Sequence, residues 1–320
     1  MNFFRLYEKY AKKIVTRVGF SHMKWIFNLL FSFLFIYLVS FFFYDSTGTW
    51  TWSPELEQYI HPDGYIHHMR SEGWGTTCFG KFGIAGIKDI SEAEENKILI
   101  WGDSYVEAFQ VDDSQKMPQL LTKLFKKNLF NNWIAVGIGQ SGATISDYYF
   151  RIPKYEKIIG DIKAHIIVIA QPDEDIVPND TNSKLSRFLI THTNQLILEK
   201  ETFKPKKTTI KSLLNCMHLD FFWNILKKIT ETKLNLNIKK KSAASNSIAK
   251  KNKKYSKECL SEIFNFITKK LSEQTDKDII ILYAPPVPII EKGRIFIKDE
   301  NKAMMHLFSI YCKKNNLIFL

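Results

Sequence analysis

The most uniform run of apolar positions comes early in the chain. Trp25 to Tyr44 reads WIFNLLFSFLFIYLVSFFFY, twenty residues without a charge. At 1.5 Å per residue a helix of that length spans about 30 Å, the thickness of a bilayer's hydrocarbon core. A buried globular helix would normally keep a polar stripe, and this run has almost none. Trp25 and Tyr44 stand where interfacial rings settle, with Trp50 and Trp52 close behind. The run is longer than the apolar core of a signal peptide, and its exit, SFFFYDSTGTW, has no small-x-small cleavage site. The pattern predicts an uncleaved transmembrane anchor over 25–44.

Beyond the anchor the pattern is first irregular. Residues 45–96 are rich in Gly, His, Trp and Tyr and read as a lead-in packed against the main domain. From Lys97 short apolar runs alternate with helical periodicity. ILIWG (Ile98–Gly102), WIAVG (Trp133–Gly137), HIIVIA (His165–Ala170), DIIILY (Asp278–Tyr283) and LIFL (Leu317–Leu320) read as strands. Pro118–Leu129, Thr144–Ile159 and Asn301–Asn315 read as helices, the second kinked or broken at Pro153. Strands that are apolar throughout and alternate with helices predict an α/β domain over 97–320, with a parallel sheet covered on both faces. Residues 171–277 read as an insertion. In it, Phe188–Lys200 suggests a hairpin around Thr193-Asn194. Leu219–Ile229 is a basic amphipathic segment, and Lys239–Lys254 is a low-complexity cationic stretch.

Charge orients the anchor. The first 24 residues carry Arg5, Lys9, Lys12, Lys13, Arg17 and Lys24 against Glu8, which is +5 of the chain's +12. The positive-inside rule places residues 1–24 in the cytoplasm as a basic tail and everything after Asp45 outside, in the periplasm or its equivalent. The excess charge suits a membrane neighbour, and no nucleic-acid-binding motif accompanies it. Cys78, Cys216, Cys259 and Cys312 form no C-x-x-C pair, so a zinc ribbon or thioredoxin-like site is unsupported. Outside the cytoplasm one or two disulfides are open to them, as are buried thiols. No metal or organic cofactor is implied.

Ligands of open α/β sheets bind at the carboxyl ends of the strands. The informative line there is ILIWGDSYVEAFQVDDSQKMPQLL, Ile98 to Leu121. A sharp turn leaves the first strand and presents Ser104 where a helix begins, beside backbone N–H groups able to stabilise an oxyanion. The same Ser also fits a plain helix cap.

This segment resembles block I of the SGNH (GDSL-type) hydrolases, in which a GDS-(F/Y/L)-x-E stretch follows the first strand and its Ser is the nucleophile. Here the matching residues are Gly102, Asp103, Ser104, Tyr105 and Glu107. GIGQSGAT after the second strand is similar to block II, and Gly142 takes the place of its oxyanion-hole glycine. APPVPII after the fourth strand is similar to the family's proline-bearing segment. The resemblance implies a three-layer flavodoxin-like sheet. It also implies ester hydrolysis or O-acyl transfer through acyl-Ser104, with the Ser104 and Gly142 amides on the oxyanion. The substrate class would be an acylated, most simply acetylated, polysaccharide or lipid, and a membrane acyltransferase is a candidate partner.

Two positions depart from the family. QPDEDI follows the third strand, and Glu174 stands where the family has an oxyanion-donating Asn. Loss of one such donor typically costs roughly 10²–10³ in rate. The family's D-x-x-H block follows the fifth strand, and no Asp-x-x-His occurs between Ser104 and Leu320. Of the histidines, His61, His67 and His68 in the lead-in could fold over the site. His165 belongs to the far end of a central strand and His306 to a helix. Each reads more simply as a satisfied or solvated group. The rival readings are a catalytically inactive SGNH-like protein that binds a glycan or scaffolds a partner, and a truncated gene product.

Overall fold

The computed structural model describes residues 24–39, 42–43, 45–46, 48–70, 72–90, 96–176, 186–190, 196–200, 256–285, 289–291, 294–296 and 299–320. The chain divides into two compact units. Of the first, the described part is chiefly helix α1, residues 24–39. Its large side chains are bare: Trp25, Phe27, Leu30, Phe33 and Phe35 are all exposed. Among the described residues, no helix is long and apolar enough to cross a membrane. The expected anchor continues through positions 40, 41 and 44, which lie outside them. Leu219–Ile229 and Lys239–Lys254 also fall outside.

The second unit holds the α/β domain. Its five expected strands all form: β5 (Asn96–Gly102), β6 (Trp133–Gly139), β7 (Ile162–Ile169), β10 (Asp278–Tyr283) and β13 (Ile318–Phe319). Every pairing among them is parallel, and the order is β13-β10-β7-β5-β6. In chain order that is five, four, three, one, two, a flavodoxin-like sheet.

Alternation along the strands divides the core. Leu99, Trp101, Val136, Ile138, Ile167, Ile169, Ile279 and Ile281 face one layer. Ile100, Ala135 and Val168 face the other. The first layer is built by α4 (Ile145–Ile159), α6 (Lys257–Ser272) and α7 (Lys302–Lys314). They contribute Tyr148, Ile152, Phe264, Ile267, Met305 and Phe308. α4 runs through Pro153 without a break. α6 lies inside the stretch 171–277 and belongs to the sheet's own cover.

The opposite face holds the second core cluster. α3 (Met117–Lys127) packs Met117, Leu121 and Phe125 there. Farther along, Ile166 and Leu282 are half-buried and Ile318 is 44% exposed. Among the described residues α3 is the one long helix on that face.

The hairpin expected at Phe188–Lys200 is present as β8 (Ser186–Ile190) and β9 (Leu196–Lys200), paired antiparallel. A second small hairpin joins β11 (Ile289–Glu291) to β12 (Arg294–Phe296). The lead-in is more regular than its sequence suggests. It forms two hairpins, β1 (Thr51–Ser53) with β2 (Gln58–Ile60), and β3 (Ile66–His68) with β4 (Thr76–Cys78). The second docks on the domain through backbone groups: the Thr76 and Cys78 amides donate to Asp112 and Asp113, each at 2.8 Å. Cys78, Cys259 and Cys312 are free thiols.

Candidate active site at the carboxyl edge of the sheet

β5 ends at Gly102, and α2 (Ser104–Glu107) begins two residues later. The turn is tight because α2 folds straight back onto the strand. A Cβ on Gly102 would lie 2.2 Å from Val106 Cγ2, so no larger residue fits. Asp103 caps the helix: its Oδ1 accepts the Tyr105 amide at 2.9 Å. Its Oδ2 lies 3.5 Å from Ser104 Oγ. Ser104 is half-buried, and as the first residue of α2 its N–H has no acceptor within the helix.

The next strand delivers the second element. Gly139 is the register partner of Gly102, and the Gln140 amide donates to Gly102 O at 3.1 Å. A Cβ on Gly139 would meet the Glu107 nitrogen at 2.2 Å, so the two turns lie against one another backbone to backbone. Ser141 donates its amide to Glu107 Oε2 at 3.0 Å, and Ala143 donates to Gln140 O at 2.9 Å. Between them Gly142 sits at φ +78°, exposed, with open space where a Cβ would be. Its N–H has no acceptor among the described residues.

β7, on the other side of β5, supplies the third element. α5 (Pro172–Asp175) follows it directly. Glu174 lies in this helix, and its side chain is outside what the structure describes. Asp175 is buried, and its Oδ2 accepts the amides of Ala170 and Gln171, both at 2.9 Å. Sequence reasoning passed over Asp175. The available signal was an acid four residues after a turn residue, placed to bond back to amides that the strand end leaves bare. Because chain order reverses between β5 and β7, these loops flank the sheet's switch point, where α/β folds bind ligands.

Electrostatics set Glu107 apart. Burial pushes its pKa up to about 7. The Ser141 amide and the charges of Lys116 and Arg151 pull it down, and Asp103 raises it. Lys116 is 2% exposed. It hydrogen-bonds Thr77 Oγ1 at 2.5 Å and forms an ion pair with Asp113 Oδ1 at 3.1 Å.

The histidines among the described residues do not serve Ser104. His61 and His67 are buried in an aromatic cluster. His61 stacks on Trp50 and packs on Phe79, while His67 stacks on Phe109 at 4.1 Å. His68 Nδ1 meets Thr76 Oγ1 and Arg70 Nη2. His165 is enclosed between Trp101 and Glu156. Among the described residues, no histidine hydrogen-bonds Ser104 Oγ, and no group of three or more His, Cys, Asp or Glu is placed to hold a metal.

No family model matches the sequence, and no curated protein is significantly similar to it.

Proposed function

We propose that this chain is a membrane-anchored, extracytoplasmic protein of SGNH type. In this reading it hydrolyses or transfers acyl esters, acetyl above all, of a glycan or lipid through Ser104. One observation carries the reading: Ser104 opens a helix on a glycine turn at the switch point of a flavodoxin-like sheet, with the unclaimed Gly142 amide on the adjoining turn. The anchor is supported by the uncharged run at 25–44 and by the bare apolar side chains of α1, since a helix apolar all round is stable in lipid or in a core.

In this mechanism Ser104 Oγ bonds to the ester carbonyl carbon. The Ser104 and Gly142 amides hold the oxyanion. The C–O bond to the alcohol then breaks, and the serine proton passes through a base to the departing alkoxide. Water or an acceptor hydroxyl repeats the attack and frees Ser104. The resemblance places that base in a D-x-x-H block after the fifth strand, and the residues from Ser104 to Leu320 contain no Asp-x-x-His to fill that role. Asp103, whose Oδ1 is occupied by the Tyr105 amide, acts as the cap that sets Ser104. The test is turnover of an acetyl-ester dye by the purified chain, compared with Ser104→Ala.

A second reading has its own observation. Ser104 Oγ contacts Asp103 and no histidine among the described residues, and a serine without a base is a poor nucleophile. A non-catalytic glycan-binding or scaffolding protein fits that. It predicts no turnover together with retained polysaccharide binding.

A further inference from the structure

Glu107 is the last residue of α2, 5% exposed, with its backbone pressed against Gly139. The turn it contacts is the opposite: Ser141 and Gly142 are both exposed. The link between the buried acid and the open turn is the 3.0 Å bond from Ser141 N–H to Glu107 Oε2. Glu107 also lines a cavity of about 10 Å³, together with Lys116, Gln119, Gly137 and Gly139 among others. It has room for about one water. Gln119 Oε1, buried and without a partner, belongs to a residue lining it. A short cap would satisfy α2 without any of this, so a buried acid here calls for a role of its own.

We propose that Glu107 is a positioning residue: it clamps the turn after β6 through the Ser141 amide and thereby fixes the Gly142 amide beside the Ser104 turn. The inference rests on the acyl-transfer reading only for what the Gly142 amide then does.

The clamp is strongest when the carboxylate is ionised, because charge-assisted hydrogen bonds are roughly twice as strong as neutral ones. The charged groups acting on Glu107 are Lys116 before α3, Arg151 on α4 and Asp103 in the turn after β5. Asp113 in turn bonds Lys116. Lys116 also takes its place from Thr77 of β4, so the lead-in contributes to the clamp. The carboxyl sits near pKa 7, so the clamp tightens as pH rises through neutrality.

The test is hydrogen exchange of the Ser141 amide in the full chain in detergent micelles, corrected for the intrinsic pH dependence of exchange. Wild type, Glu107→Gln and Glu107→Ala are compared, each with its melting temperature. At pH 8 Glu107→Ala is expected to exchange about tenfold faster or more, the loss of one charge-assisted bond. Glu107→Gln, which keeps an acceptor, loses less. Wild type gains protection from pH 6 to 8 and Glu107→Gln does not. Equal Ser141 exchange in wild type and a Glu107→Ala chain of unchanged melting temperature overturns the proposal. So does a Glu107→Gln chain with the wild-type pH dependence, and that comparison decides alone if Glu107→Ala does not fold. Exchange needs no substrate, so absent turnover sinks the ester reading and leaves the clamp standing. Where wild type turns over an acetyl ester, kcat falls in Glu107→Ala with KM nearly unchanged and recovers in Glu107→Gln. An unchanged kcat contradicts the clamp's role.

Discussion

Trp101 Nε1 donates to His165 Nδ1 at 3.0 Å, across the neighbouring strands β5 and β7. Because Nδ1 accepts, Nε2 carries the ring proton and meets Glu156 Oε1 at 2.8 Å. Burial holds the His165 pKa below its ordinary value, against the pull of Glu156. The ring is thus a neutral bridge inside the α4 layer. Replacing it with Phe leaves the indole N–H without its acceptor. His165→Phe should cost about 3 kcal/mol and lower the melting temperature by about 6–12 °C. Calorimetry checks the loss, and any ester turnover per folded molecule should stay as in wild type.

A second histidine makes the fold sensitive to acid. His61 is buried, donates from Nδ1 to Thr49 O at 2.8 Å, and has no partner at Nε2. Desolvation, the larger effect, takes its pKa down to about 4, against an ordinary 6.5. The folded pKa is depressed, so the stabilisation is complete above about pH 6.5 and is lost as pH falls toward 4. The full loss is about 3 kcal/mol. Urea melts at pH 7 and pH 4 should show wild type losing about that much more than His61→Phe. Parallel losses in the two chains contradict the assignment.

The glycine of the Ser104 turn should be replaceable only together with its neighbour. Gly102→Ala drives a Cβ into Val106 Cγ2, a stiff β-branched side chain. Its expected cost is about 1–3 kcal/mol. Val106→Ala removes the obstacle, so the double variant should recover part of that loss. A double-mutant cycle measures the coupling. Additive losses would mean that the turn relaxes elsewhere.

The proposed extracytoplasmic placement can be tested at Cys78, an exposed free thiol in the lead-in. If the second unit lies outside the cytoplasm, a membrane-impermeant maleimide should label Cys78 in cells whose inner membrane is intact. Cys78→Ser should lose that label in peptide maps. Labelling that requires lysis contradicts the proposed orientation.

The sheet was legible because buried parallel strands read as unbroken apolar runs. HIIVIA and DIIILY needed no tertiary knowledge, and the Asp278–Tyr283 strand has the same limits in the structure. The Ser104 turn was legible because Gly102 and Asp103 act locally, one by its size and the other as a cap. What stayed hidden depends on contacts distant in sequence. α6 was lost among lysines and beside a low-complexity stretch, although Phe264 and Ile267 are fully buried. The lead-in's docking rests on amides reaching aspartates 36 and 35 residues away. The motif marks Glu107, but its buried setting against Gly139 is a contact that no periodicity reveals.

Acyl transfer at Ser104 can be seen by mass spectrometry of the full chain quenched while it is mixed with an acetyl-ester dye. One acetyl group is expected on the peptide that carries Ser104, absent from Ser104→Ala, with dye release lost in that variant. An unmodified Ser104 peptide, with dye release equal in wild type and Ser104→Ala, would contradict it.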